Sequence, residues 1–198
     1  MSERRILLAL VIIFEIALGI APKADRTTWF LENLPVFIIL PCLLIFRVRF
    51  SLWTLRLMAL HAGVLMLGGH YTYAEVPLGF WMQDLFHFSR NHYDRIGHLM
   101  QGFVPAFIFR EWLLRKTPLR DGLLLAAIVV SFCLSVSAVY ELAEWAAALA
   151  LGQGADAFLG TQGDSWDTQS DMFCALLGSL MAVSLRRWHN RYLKKEYL

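Results

Sequence analysis

The sequence predicts an all-α fold, a polytopic membrane helix bundle of six transmembrane helices with the N and C termini both cytoplasmic. Three observations predict it. Of the 198 residues, 58% are hydrophobic and 17% charged, with a mean hydropathy of +0.51; soluble chains carry about a quarter charged residues. The apolar residues gather into runs close to the ~20 residues that cross ~30 Å of hydrocarbon. The basic residues fall into alternate gaps between those runs, as an even number of spans requires.

The predicted spans are 5–21, 29–46, 52–70, 96–114, 121–145 and 168–187. The first follows a basic start and has an apolar core, as a signal peptide would. No small-residue cleavage site follows it, so it reads as a retained span. The second holds Pro35 and Pro41, which predict a kink or tilt. The third, fourth and fifth are long runs interrupted by few charges. The sixth is the weakest, because its purely apolar part runs only from Met172 to Leu185. Strands would need a period-two alternation that these runs lack, and lipid requires backbone groups to be bonded internally, so helices are expected.

Orientation comes from charge. With an even number of spans, Arg4, Arg5, Arg47, Arg49, Arg110, Arg115, Lys116, Arg120, Arg186, Arg187, Arg191, Lys194 and Lys195 share one side, 13 of the 18 basic residues. The positive-inside rule makes that side the cytoplasm. Lys23, Arg26, Arg90 and Arg95 lie opposite, and Arg56 falls inside the third span. Tryptophans 29, 81, 112, 145, 166 and 188 lie near proposed span ends, where interfacial rings sit. The whole chain, 1–198, reads as a single integral membrane domain.

The small net charge of +2 offers no footprint for nucleic acid, so membrane lipid is the expected surroundings. Cys42, Cys133 and Cys174 all fall in apolar stretches with no CxxC spacing, and read as buried free thiols. No Walker, dinucleotide, GxSxG or HExxH motif occurs. Gly97, Gly102 and the run ALLGS at 175–179 read as places of close helix approach. The outer loops 71–95 and 146–167, rich in aromatics and acids, could fold over the mouth of the bundle or rest on the bilayer surface.

The chemistry concentrates at the outer helix ends. In NHYDRIGHLMQGF, residues 91–103, Asp94 and His98 stand at i,i+4 on one helix face. The fifth helix ends outward with Glu141 and Glu144, and the sixth opens with Asp167 and Asp171, again i,i+4. His70 closes the third helix at the same level, and Glu15 lies in the outer half of the first. Charges within a bilayer usually face the bundle interior, pair with one another or mark function. So many carboxylates repel each other unless protonated, paired with arginine or bridged by a cation.

The expected metal ligands are therefore Asp94, His98, Glu141, Glu144, Asp167 and Asp171, with a divalent ion as candidate cofactor and His70 as a further candidate. Asp94, His98 and Glu141 are the candidate catalytic residues. The plainer readings are helix capping for Asp94, Asp167 or Thr168, a structural hydrogen bond for His98, and a water-facing helix end for the two glutamates. Arg56 and His61 fall in the cytoplasmic half of the third helix, too deep for an outer site. His87 and His92 read as surface residues.

At these residues the chain resembles the YjdF-like family of bacterial inner-membrane proteins. The resemblance rests on NHYDRIGHLMQGF at 91–103, YELAEW at 140–145 and GDSWDTQSDMFCALLG at 163–178, and covers nearly the whole chain. It implies a multi-pass protein of the bacterial inner membrane. The chain is also more distantly similar to VanZ-like membrane proteins, which are associated with glycopeptide resistance and the cell envelope. Asp94, Arg95 and His98 match their acidic-basic pair before a histidine, with arginine where lysine is common. Glu141 or Glu144 matches their middle-helix acid, and Asp171 with Gly178 their final helix; Ala175 stands where that group often has asparagine.

Three functions stay open at this point. One is an enzyme acting at the outer face on a lipid-linked or phosphorylated small molecule. The others are an ion- or proton-coupled carrier and a noncatalytic accessory protein. Substrate, oligomeric state and the identity of any metal are not legible in the sequence.

Overall fold

The helix that carries Asp94 and His98 is the axis on which the others are arranged. The computed structural model describes residues 2–45, 49–151 and 161–197. Its helices, in chain order, are α1 (Glu3–Ile20), α2 (Arg26–Glu32), α3 (Leu34–Ile45), α4 (Leu52–Tyr71), α5 (Pro77–Phe86), α6 (Tyr93–Lys116), α7 (Leu123–Leu151), α8 (Asp167–Ser184) and α9 (Arg186–Tyr197), with one 3₁₀ turn at Tyr73–Glu75. No strand occurs among the described residues. Arg47 and residues 152–160 of the second outer loop lie outside them.

Two helices, Leu52–Tyr71 and the run Leu123–Ala150 of α7, are long and apolar enough to cross a membrane. Two bent pairs raise that to four if each is one span: α2 with α3, bent by 48°, and α8 with Arg186–Lys195 of α9, bent by 57°. The sequence expectation was six. Its first and fourth spans are helical, but α1 and α6 carry too many charged and polar residues to qualify by composition. The kink expected of the second span falls at Asn33, between two helices, rather than at Pro41, which sits inside α3. The start of α2 has a local cause: Asp25 accepts hydrogen bonds from the Thr27 and Thr28 amides at 2.9 and 3.1 Å.

α6 packs most closely on α8, and α7 lies against both. The cause is an absence of side chains. A Cβ on Gly102 would lie 1.8 Å from the Ala175 carbonyl oxygen, and one on Gly178 would lie 2.0 Å from that of Leu99. Each glycine admits the backbone of the other helix, the close approach expected from these small residues. Gly97 instead faces the Tyr73 ring, with a Cβ there 3.0 Å from it.

Buried stripes at helical spacing then set the height of the polar groups. On α7 the buried positions Leu125, Val129, Cys133, Ser137 and Glu141 recur every four residues. On α8 the buried face carries Asp167, Asp171, Ala175, Gly178 and Ala182. The acids are the terminal members of stripes whose members Leu125, Val129, Cys133 and Ala182 share a core cluster with Val104 and Phe107 of α6. Of the cysteines, Cys133 is buried, Cys174 half-buried and Cys42 exposed. The expectation of buried thiols therefore fails at Cys42: α3 is apolar all round, so hydropathy does not select its inward face.

The 71–95 loop is largely ordered. Pro77, whose missing amide costs nothing at a helix start, opens α5. α5 leaves Leu78, Phe80, Trp81, Leu85 and Phe86 exposed. The two loops also join: Asn91 N–H donates to Gln162 Oε1 at 3.1 Å and Gln162 Nε2 returns a bond to Asn91 O at 2.8 Å.

Candidate functional site

His98 sits at the centre, 4% exposed. Its Nε2 lies 3.5 Å from Asp94 Oδ1 and 3.7 Å from Asp171 Oδ1. Its Nδ1 donates to Gln101 Oε1 at 3.0 Å, and Glu141 Oε1 stands 3.7 Å from the same nitrogen. With the amide oxygen of Gln101 facing it, Nδ1 is the donor of this pair, and Nε2 is the ring nitrogen turned toward the two aspartates. Potential ligand atoms of Asp94, His98 and Asp171 all lie within 4.8 Å of one another, and all three residues are buried.

Those separations carry chemical information. At 3.5 and 3.7 Å the Nε2–carboxylate distances exceed the 2.7–3.2 Å of a hydrogen bond. Ligands held at about 2.0–2.1 Å from one tetrahedral ion stand about 3.4 Å apart. The spacing suits ligands of one shared ion, although Arg95, which also pairs with Asp171 Oδ1, already offers that carboxylate a cation.

The six expected metal ligands separate into groups. Asp94, His98 and Asp171 converge. Glu141 approaches only the Nδ1 side of His98, and its Oε1 is buried without a hydrogen-bond partner. Glu144 lines the cavity described below together with Asp94 and His98. Asp167 does not join them. Its Oδ1 accepts from Arg90 Nη2 at 2.8 Å and Arg95 Nη2 at 2.7 Å, so its charge is matched by arginine.

Arg95 is the bridge between these groups. It pairs with Asp171 Oδ1, with Asp164 Oδ2 at 3.1 Å and, more loosely, with Asp94 Oδ2 at 3.8 Å. Arg90 donates to the Thr161 carbonyl at 2.6 Å and lies 3.4 Å from Asp164 Oδ2. Together the two arginines fasten the second outer loop to the start of α6. The Asp164 carboxyl is held below the usual range, first by the Trp166 amide that donates to it and then by Arg90 and Arg95. Partial burial lowers the His92 imidazole, and the same arginines add to the effect.

Capping does not account for these acids. Asp94 lies inside the first turn of α6, and the Tyr93 amide is taken by Asn91 Oδ1 at 3.0 Å instead. His70 is not brought to the cluster; its Nδ1 bonds the Leu18 carbonyl at 2.9 Å, tying α1 to α4. Both carboxylate oxygens of Glu15 are covered and lack hydrogen-bond partners, so it makes no salt bridge. Arg56 pairs with Glu3 of α1 at 2.7 Å, away from the cluster.

Beside the cluster runs a cavity of about 1130 Å³ among α1, α3, α4, α6 and α7. Glu32, His61 and Gln101, none of them expected at the site, line it. Glu32 is 2% exposed; its Oε1 accepts from Thr72 Oγ1 at 3.2 Å while Oε2 has no partner. His61, read as too deep, faces the same space with Nε2 unbonded. The only sequence signal for either was a charged or ionisable residue inside an apolar run.

With this arrangement described, comparison with known proteins becomes informative. Residues 3–191 match the family described as "Predicted membrane protein (DUF2238)". The chain belongs to this family. It is 53% identical over 174 residues to the inner membrane protein YjdF of Escherichia coli (strain K12), covering 86% of this chain and 83% of that one. No solved structure matches. Family membership, that relative and the apolar helices make this a multi-pass protein of the inner membrane, and the family's description assigns it no chemistry.

Proposed function

We propose that the protein uses Asp94, His98 and Asp171 to hold a divalent cation at the periplasmic face, and through it the phosphate of a lipid-linked or phosphorylated envelope substrate. The observation that carries this reading is the set of three ligand atoms within 4.8 Å, with His98 Nε2 turned toward both aspartates. A nitrogen with two carboxylates suits Zn or Mn better than the all-oxygen sites of Mg and Ca. The cation would polarise a phosphoryl oxygen. Glu144 faces the cavity and is the better carboxylate to accept a proton from an attacking water, while Glu141 orients the His98 ring from behind.

The topology in this reading is six spans, one domain over residues 1–198, and both termini in the cytoplasm. Two facts support it. With six spans, thirteen of the 18 basic residues fall on one side, as the positive-inside rule asks. Side-chain contacts also gather the same end of the bundle: Arg4 donates to the Phe50 carbonyl at 2.8 Å, and Arg115 bonds that of Arg49. The buried charges of α6, which exclude it from a composition test, are satisfied inside the bundle and need not face lipid. The distant resemblance to VanZ-like proteins of the cell envelope points the same way. A carrier would need a continuous polar path beyond His61; Arg4 and Arg49 line the cavity at that end, but Met58, Val104 and Ile108 line it in between.

The test is elemental analysis of protein purified in detergent, for Mg, Mn, Zn and Ca, on wild type, Asp94→Asn and His98→Ala. About one ion per wild-type chain, lost in both variants, is the expected result. A wild type without stoichiometric metal, after reconstitution with each ion in turn, would leave the cluster a structural one and overturn the proposal.

A further inference from the structure

We infer that the cavity beside His98 is the seat of a single long hydrocarbon chain, so that the substrate is an amphiphile bound with its polar end at Glu32, Asp94, His98 and Glu144. The inference rests on the proposed site for the nature of the polar end, a phosphate held through a cation. For the chain it rests on the cavity alone.

Three observations support it. The first is size: about 1130 Å³ is too large for a packing defect, since protein interiors hold few voids larger than a water molecule. It lies just above the usual range of ligand cavities, about 300–1,000 Å³. The second is length. Along α6 the lining runs from Asp94 to Ile108, about 21 Å at 1.5 Å per residue. One leaflet of a ~30 Å hydrocarbon core is about 15 Å deep, so a chain of leaflet length fits with room for a linkage to its head.

The third is the division of chemistry along that length. The polar end holds the carboxylates of Glu32, Asp94 and Glu144 with His98. Below it the walls are mostly apolar, with Val11, Val36, Met58, Leu65, Val104 and Ile108 drawn from four helices, before Arg4 and Arg49 line the opposite end. The apolar side chains offer a polar solute no hydrogen bonds, whereas a buried methylene gains about 0.8 kcal/mol. Glu32 Oε2, on a residue 2% exposed, lines the polar end without a partner. A buried carboxylate oxygen left in that state is costly, and a head-group hydroxyl or a bound cation would satisfy it.

The experiment uses hexadecyl phosphate carrying a diazirine at mid-chain, applied to the full-length protein in detergent and mapped by peptide sequencing after irradiation. Saturable labelling of α3, α4 or α6 cavity-wall residues is expected, competed by unlabelled hexadecyl phosphate and not by butyl phosphate. Ala62→Trp, which fills the cavity, should cut that labelling at least tenfold; Leu60→Trp, on an exposed position of the same helix, should leave it unchanged. Should Ala62→Trp fail to accumulate, the competition in wild type decides alone. Labelling confined to outward residues such as Leu124 and Val139, or competed equally by butyl phosphate, overturns the inference. Metal content is measured on the same samples. Cavity labelling without bound metal sinks the cation site and keeps the chain site, and metal without cavity labelling does the reverse.

Discussion

His98 Nδ1 and Gln101 Oε1 stand 3.0 Å apart, a hydrogen bond that holds the ring with Nε2 toward Asp94 and Asp171. Removing the acceptor frees the tautomer and the ring. Gln101→Leu should therefore weaken metal binding by about 10–100-fold, the usual cost of losing a partner that orients a histidine ligand. A chelator-competition titration reads it. Unchanged affinity would show that the ring is held by other means.

A different failure is expected where α6 meets α8. Gly102→Val places its side chain into the Ala175 carbonyl, and backbone cannot give way as a flexible side chain can. The two helices must separate, which costs at least the 1–3 kcal/mol typical of overpacking. The variant should lose accumulation in the membrane and melt earlier in detergent. Because the separation carries Asp171 away from His98, any protein that survives should also have lost its metal.

Arg90 tests the clamp without touching the ion. It is 8% exposed and bonded to Asp167, with Asp164 and the Thr161 carbonyl as further partners. Arg90→Ala leaves Asp167 with Arg95 alone, and breaking a buried pair of this kind costs about 3–5 kcal/mol. Limited proteolysis should then cut near residues 161–166 in the variant and not in wild type. Equal protection would mean that Arg95 suffices.

The same clamp predicts a pH response. The Asp164 carboxyl is depressed by the Trp166 amide and by the two arginines. Such a group contributes fully above the unfolded value, about 3.9 for aspartate, and its contribution is lost only as pH falls through the lower folded value. Protection of the Trp166 amide against hydrogen exchange, corrected for intrinsic rate, should therefore persist to pH 4 and collapse below it. Asp164→Asn keeps an acceptor for that amide but has no group to titrate, so its protection should show no such step.

Parts of this were legible in the sequence, for definite reasons. Asp94 with His98 follows from helical spacing alone, because i and i+4 must share a face. The small residues at Gly102 and Gly178 announced close approach, although not which carbonyl each would admit. Partner choice was not legible. Asp167 and Asp171 have the same spacing and chemistry, and the rotation of α8 gives Asp167 to Arg90 and Arg95 while Asp171 meets Arg95 and His98 together. His61 was misplaced because depth was counted along separate vertical helices, whereas one cavity runs beside α4 and α6 for much of their length. Glu32 was missed because its helix, α2, was read as the opening of a span whose break at Asn33 cannot be seen in composition.

The last prediction concerns a network at the far end of α6 that the sequence did not announce. Glu111 is fully buried and accepts from the Ser51 amide at 2.6 Å, Ser51 Oγ at 2.7 Å and Thr54 Oγ1 at 2.6 Å, with His189 Nε2 at 3.7 Å. It thus fastens the start of α4 and the buried ring of α9 to α6. Beside it Arg110 bonds His189, Asp121 and Asn190. Glu111→Ala would orphan three buried donors and leave the neighbouring cations unmatched, at a cost of about 3–5 kcal/mol. Glu111→Gln keeps an acceptor and should cost less. The expected pattern is a lowered melting temperature in detergent, larger for alanine, with metal content per folded chain unchanged, because His98 lies more than three turns of α6 away. Loss of the ion in Glu111→Gln, with melting near wild type, would show instead that the two ends of α6 are coupled.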